Sequence, residues 1–89
     1  MPTIRFTSNI QRHVSCPTRE VEGTTVREAL ARYFAANEAA RGYVLDDQGR
    51  VRRHMAIFVD GQQLRDRVTL SDALAENAVV DLIQALSGG

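Results

Sequence analysis

Few residues in this sequence carry the types and spacings that do chemistry. Cys16 is the single cysteine, so it closes no internal disulfide, and it fits a reducing compartment. As a nucleophile it would need a base to lower its pKa, and His13, three residues away, is the sequence-local candidate. Between Ser15 and Pro17, in a loop-like stretch, it reads as an incidental thiol. Two histidines and one cysteine in no ligand spacing make no zinc site, since that ion wants four suitable ligands, and no metal is expected. The aspartates of Asp46-Asp47-Gln48-Gly49 lack the further oxygen ligands of a calcium loop and read as a solvated turn. Arg50, Arg52, Arg53 and His54 form the one basic cluster. Without interleaved aromatics it reads as a solvated loop or strand edge, its functional alternative being a docking patch for an acidic partner, and no nucleic-acid partner is expected.

That leaves the ending, Ala85-Leu86-Ser87-Gly88-Gly89. Glycine has no Cβ and takes conformations closed to other residues, so a diglycine tip can be threaded through a narrow channel into another protein's active site. Gly89, with its carboxylate, is the candidate reacting residue. Gly88 would supply the flexible approach, and residues 86–89 are expected to be a flexible tail. No acid, base or metal constellation accompanies this ending, so the chain reads as a co-substrate of other enzymes rather than as an enzyme.

The tail must leave something rigid. Ile4 and Phe6 alternate with Thr3, Arg5 and Thr7, the period-two signature of a strand with one buried face. Residues 8–17 are polar and irregular, and 18–22 offer a weaker strand ending at Gly23, paired with the first across a long connection. Thr25-Val26-Arg27-Glu28 matches the capping box, which starts a helix. Val26, Ala29, Leu30, Tyr33 and Phe34 then form an apolar stripe at helical spacing, with Gly42 as the stop. Tyr33 and Phe34 read as core. Met55 to Val59 is an apolar strand followed by Asp60-Gly61, the favoured dipeptide of a type I′ hairpin turn, with a return strand from Gln62 to Arg65. Residues 70–77 read as a helical turn or irregular cover. Val79 to Ala85 is the final strand, with Val80 and Leu82 inward and Asp81 outward.

This order predicts an α+β fold in which a mixed sheet covers one main helix. The last strand lies parallel to the first at the sheet centre, the β-grasp arrangement. With 89 residues, 44% of them hydrophobic, and no net charge, residues 1–89 are expected to form one small domain. No apolar run approaches 18 residues and no signal peptide leads the chain, so the sequence reads as cytoplasmic with no membrane partner. Neutrality hides an asymmetry: all eleven basic residues are arginine, none falls after residue 67, and Asp72, Glu76 and Asp81 make the final third acidic.

The whole chain from residue 3 to residue 89 resembles the MoaD/ThiS family of ubiquitin-like sulfur carriers. Ile57-Phe58-Val59-Asp60-Gly61 and Gln84-Ala85-Leu86-Ser87-Gly88-Gly89 carry the resemblance. It implies that an adenylating, ubiquitin-activating-like enzyme uses ATP to join the Gly89 carboxylate to AMP. Sulfur from a donor such as a cysteine desulfurase or a rhodanese-type protein then displaces AMP, and the resulting thiocarboxylate delivers its sulfur to a synthase. ATP would belong to the partner, with no cofactor bound by this chain. Docking is expected beside the tail on the exposed sheet face, through Phe6, Phe58, Ile83 and Leu86, while the acidic final third would complement a basic groove and speed encounter. Two readings compete: a ubiquitin-like modifier conjugated to other proteins, and a non-catalytic β-grasp binding subunit that uses its tail as a plug. With no lysine, the chain cannot carry modifier chains on itself. Segment 66–79 lacks the Asp-Gly-Asp or Asp-Gly-Glu turn of many relatives, and Gln84 stands where molybdopterin-synthase small subunits often have proline.

Overall fold

The computed structural model describes residues 1–84. Strand β1 (Thr3–Phe6) buries Ile4 and Phe6 and turns Thr3 and Arg5 the other way. Strand β2 is only Arg19–Glu20 and pairs antiparallel with β1, Thr3 opposite Glu20. It is shorter than the expected 18–22, because after Val21 N donates to the Pro2 carbonyl the chain turns away through Gly23. Between them the stretch expected to be irregular contains a one-turn helix, α1 (Ser8–Gln11), whose fully buried Ile10 pins it to the core. A single apolar residue has no period, so nothing in the sequence pattern announced this helix.

Helix α2 (Val26–Ala36) buries Val26, Ala29, Leu30, Tyr33 and Phe34, the stripe read from the sequence. Thr25 Oγ1 accepts from Glu28 N at 3.2 Å. The Glu28 carboxylate reaches back one residue further than the capping box requires, taking Thr24 N at 2.9 Å and the Thr24 hydroxyl at 3.0 Å. These bonds hold its carboxyl below the usual carboxylate range.

The single helix expected to run to Gly42 is instead two. Asn37 adopts φ −141° and ψ 64°, and its Nδ2 donates to the Tyr33 carbonyl at 3.1 Å. That carbonyl would otherwise receive the Asn37 backbone N–H, so the side chain competes with the helical ladder and breaks it. Helix α3 (Glu38–Val44) then re-aims Ala40 and Val44 into the core, and Gly42 lies inside it.

Strand β3 (Met55–Val59) leads into the expected turn, with φ of 49° at Asp60 and 84° at Gly61, as type I′ requires. The return strand β4 is Gln62–Gln63. Leu64 N still donates to the Ile57 carbonyl at 2.8 Å, and the strand stops short of Arg65 as the Asp72 carboxylate takes Arg65 N and Asp66 N at 2.9 Å each and turns the chain away. Residues 70–77 are irregular, as one expected alternative had it, and serve as a strap. Val26 N and Arg27 N at the start of α2 donate to the carbonyls of Asp72 and Leu70, supplying partners for donors that a helix leaves unpaired.

Strand β5 (Val79–Gln84) completes a five-stranded sheet of order β2-β1-β5-β3-β4. It runs parallel to β1 and antiparallel to β3, with Val80 and Leu82 fully buried and Asp81 on the outer face. Fully burying a side chain the size of Leu82 contributes about 1.5–3 kcal/mol. One apolar cluster lies between the sheet and α2, centred on Tyr33, whose hydroxyl donates to the Pro17 carbonyl at 2.7 Å. Burial pushes the Tyr33 phenol up to about 12, so it stays a donor.

Gly23 passes so close to α2 that a Cβ there would sit 2.7 Å from Ala29 N. Neither backbone can yield cheaply, so Gly23→Ala is expected to destabilise the fold by about 1–3 kcal/mol in urea unfolding. The Asp66 carboxylate accepts from Val68 N, Thr69 N and Ser71 N and from the hydroxyls of Thr69 and Ser71. These bonds, led by the Ser71 and Thr69 hydroxyls, hold it far below the usual range. A depressed folded-state pKa stabilises above the unfolded value, roughly 3.9, and that stability is lost as pH falls further. The Tm advantage of the native chain over Asp66→Asn should therefore hold from pH 7 to 5 and shrink from pH 4 to 2 in thermal melts.

Candidate functional site

Alternation along three adjacent strands builds the outer sheet face. Ala56 pairs with Ile83 and Phe58 with Asp81, which makes Phe58 and Ile83 diagonal neighbours, both half-buried. On the far side of β5, Arg5 is in register with Asp81. Arg5 Nε donates to Asp81 Oδ1 at 2.7 Å and Nη2 to Oδ2 at 3.0 Å, a bidentate pair that closes this side of the apolar patch.

The four residues expected to dock a partner therefore separate. Phe58 and Ile83 share the outer face. Phe6 does not: it is 6% exposed, its ring centroid 5.4 Å from that of Tyr33, because β1 alternation turns it to the core with Ile4. Leu86, Gly88 and Gly89 lie outside the described residues. At the last described position Gln84 is opposite Met55, and its Oε1 is buried with no hydrogen-bond partner among the described residues.

The remaining candidates have structural duties. Cys16 is 2% exposed, and burial pushes its thiol up, away from the reactive thiolate. Asp46 Oδ1 accepts from Gln48 N and Arg50 N while Oδ2 pairs with Arg50 Nε at 3.1 Å, so the aspartate closes its own turn. Among the described residues no group of three or more His, Cys, Asp or Glu could hold a metal ion, and no helix is long and apolar enough to cross a membrane. Nor do the acids of the final third form a patch: Asp81 pairs with Arg5, and Asp72 binds two backbone N–H groups.

Sequence reasoning missed one cluster. Tyr43, near the end of α3, has the His13 ring stacked at 6.2 Å and the His54 ring edge-on at 6.4 Å. The basic cluster that lacks aromatics in sequence acquires them in space. No local signal joins positions 13, 43 and 54.

The ThiS family model matches residues 10–89, nearly the whole chain. The chain belongs to the ThiS family. No curated protein sequence matches it, but solved structures do. A chain in the crystal structure of the Amycolatopsis orientalis BexX/CysO complex superimposes with TM-score 0.82 and 16% identity, covering 100% of both chains. Mycobacterium tuberculosis CysO gives 0.80 at 18% identity over 97% of this chain and 100% of that one. SAMP1 from Haloferax volcanii gives 0.76 at 22% identity over 99% and 98%. At such identities these likenesses speak for the fold, the β-grasp. The family supplies the broad role: ThiS-type chains are ubiquitin-like sulfur carriers, protein co-substrates and not enzymes themselves.

The division between core and outer face is measurable. Phe6→Ala is expected to cost about 3–5 kcal/mol in chemical denaturation, as removal of a buried aromatic does. Phe58→Ala, on the outer face, should cost less than half as much.

Proposed function

We propose that this ThiS-family chain carries sulfur on its C-terminal Gly89. In the first step a Gly89 carboxylate oxygen attacks the α-phosphate of ATP in an adenylating partner, pyrophosphate leaves, and an acyl-adenylate forms. Sulfide then attacks the carbonyl carbon, the bond to AMP breaks, and a thiocarboxylate results; a persulfide donor would first form an acyl disulfide, which a second thiol cleaves to the thiocarboxylate while the donor sulfur leaves as a disulfide with that thiol. The nucleophilic sulfur of the thiocarboxylate is consumed by a synthase that builds a cofactor or metabolite. Activation by AMP is needed because a free carboxylate is a poor electrophile and a poor source of leaving group. ATP is held by the partner, and the need for ATP and reduced sulfur sets the reaction in the cytoplasm.

The family match running through Gly88 and Gly89 is the observation that carries this reading. The geometry supports it. β5 is bonded on both sides, so residues 85–89 continue from a rigid anchor, and Phe58 and Ile83 beside it form an apolar face on which a partner can dock. Gly88 would let the last residues enter a narrow active site without a side-chain clash. The A. orientalis CysO of the structural comparison is found in complex with BexX, consistent with carriers of this shape working against a partner.

A second reading has one specific observation behind it: a structural neighbour is named a small archaeal modifier protein. Attachment of Gly89 to a lysine of another protein would use the same acyl-adenylate, with an amine replacing sulfur as the nucleophile.

Incubating the full chain with ATP, a cognate adenylating enzyme and sulfide is expected to raise its intact mass by the difference between sulfur and oxygen, and deletion of Gly89 should abolish the shift. Formation of isopeptide conjugates without any thiocarboxylate would favour the modifier, and an unchanged mass with active enzyme would sink both readings.

A further inference from the structure

We infer that the end of the molecule where β5 finishes docks a carboxylate-rich surface of the protein that receives residues 85–89, through Arg12, Arg53 and the imidazoles of His13 and His54 about Tyr43. This rests on the carrier reading above. Two segments flank that end. Thr7 N donates to the Leu82 carbonyl at 3.2 Å, which sets α1 and the following Arg12 and His13 beside the end of β5. His54 directly precedes Met55, the register partner of Gln84. Tyr43 then joins the two imidazoles from between.

Residues 7–17 and 50–59, the two segments that flank this end, contain no aspartate or glutamate and hold Arg12, Arg50, Arg52 and Arg53. The nearest acids ahead of Arg50 on the chain, Asp46 and Asp47, lie in the turn before it. Arg50 is tied to Asp46, and Arg52 Nε donates to the Gly42 carbonyl at 2.8 Å. Arg67 reaches the same end, where its Nη2 donates to the carbonyls of Arg52 and Met55 at 2.6 and 2.7 Å. Arg12, His13, Arg53 and His54 are exposed, and among the described residues neither Arg12 nor Arg53 makes a side-chain hydrogen bond or ion pair.

Exposed carboxylates gather at the opposite end of β5. Asp60 accepts Val79 N, Glu20 faces Thr3, and Glu22 and Glu76 lie in the adjoining turns, with Arg19 beside them. The length of β5 separates the ends by roughly 17 Å. That is about twice the Debye length of roughly 8 Å at physiological salt, so a partner at one end meets little of the other's field. A nucleic acid is the poorer fit, since a phosphate backbone extending past this small patch meets a chain with no net charge.

The test pairs a chemical probe with the reaction. In NMR titration at low salt, hexaglutamate is expected to shift the amides of residues 12–14, 43 and 52–55, and the double variant Arg12→Glu, Arg53→Glu, with its sheet resonances unchanged, should lose these shifts. Shifts confined to other residues, or tighter binding of a six-nucleotide oligouridylate, would overturn the proposal. In ATP–pyrophosphate exchange with the cognate adenylating enzyme, the double variant should raise the KM for the carrier at least tenfold, less so at high salt, whereas Arg32→Glu on α2 leaves it unchanged. An unaltered KM in the double variant also overturns the proposal. Failure of the native chain to support exchange counts against the carrier reading alone, and the hexaglutamate titration still decides the surface.

Discussion

With β1 parallel to β5, Thr3 N reaches the Ala78 carbonyl at 2.8 Å and Thr7 N the Leu82 carbonyl, so the ladder is fastened at both ends. This pairing joins the two halves of the sheet. β2 has only β1 to hold, and β4 has only β3, which is itself held by β5. Arg5 and Asp81, 76 residues apart in sequence, meet because of it. Loop closure over such a span costs entropy before any contact is made, and the buried Ile4, Phe6, Val80 and Leu82 offset that cost.

Elements with strong periodicity were legible in the sequence. The two-residue alternation of β1 and β5 named their inward residues, and the Asp60-Gly61 turn followed from the need for positive φ at two successive positions. Where competition between nearby groups decided the outcome, sequence pattern was silent. Asn37 breaks a helix whose apolar stripe continues past it, and Asp72 turns the chain away after β4 by binding the backbone N–H groups of Arg65 and Asp66. Helix α1 rests on Ile10 alone.

The candidate site was legible in part, for the same reason. The family resemblance implied an outer apolar docking face, and register chose its members: Phe58 and Ile83 lie on it, while β1 alternation had already assigned Phe6 to the core. The acidic final third was a property of sequence order. Folding separates its members, pairing one with arginine, using another as a backbone cap and leaving Glu76 at the far end of β5. Conversely, the basic cluster near residue 52 gained its aromatic partner from α3 and its second imidazole from the segment after α1, neighbours that only the tertiary fold supplies.

Parallel strands begin at the same edge and finish at the same edge, so β1 starts where β5 starts, about 17 Å from where β5 ends. Anything joined ahead of β1 is thus held away from the face at which residues 85–89 emerge. The sequence has no lysine, so none of its side chains carries a primary amine. A support joined ahead of β1 by amine chemistry would therefore meet no competing side chain and would leave the finishing edge of the sheet turned to the solution.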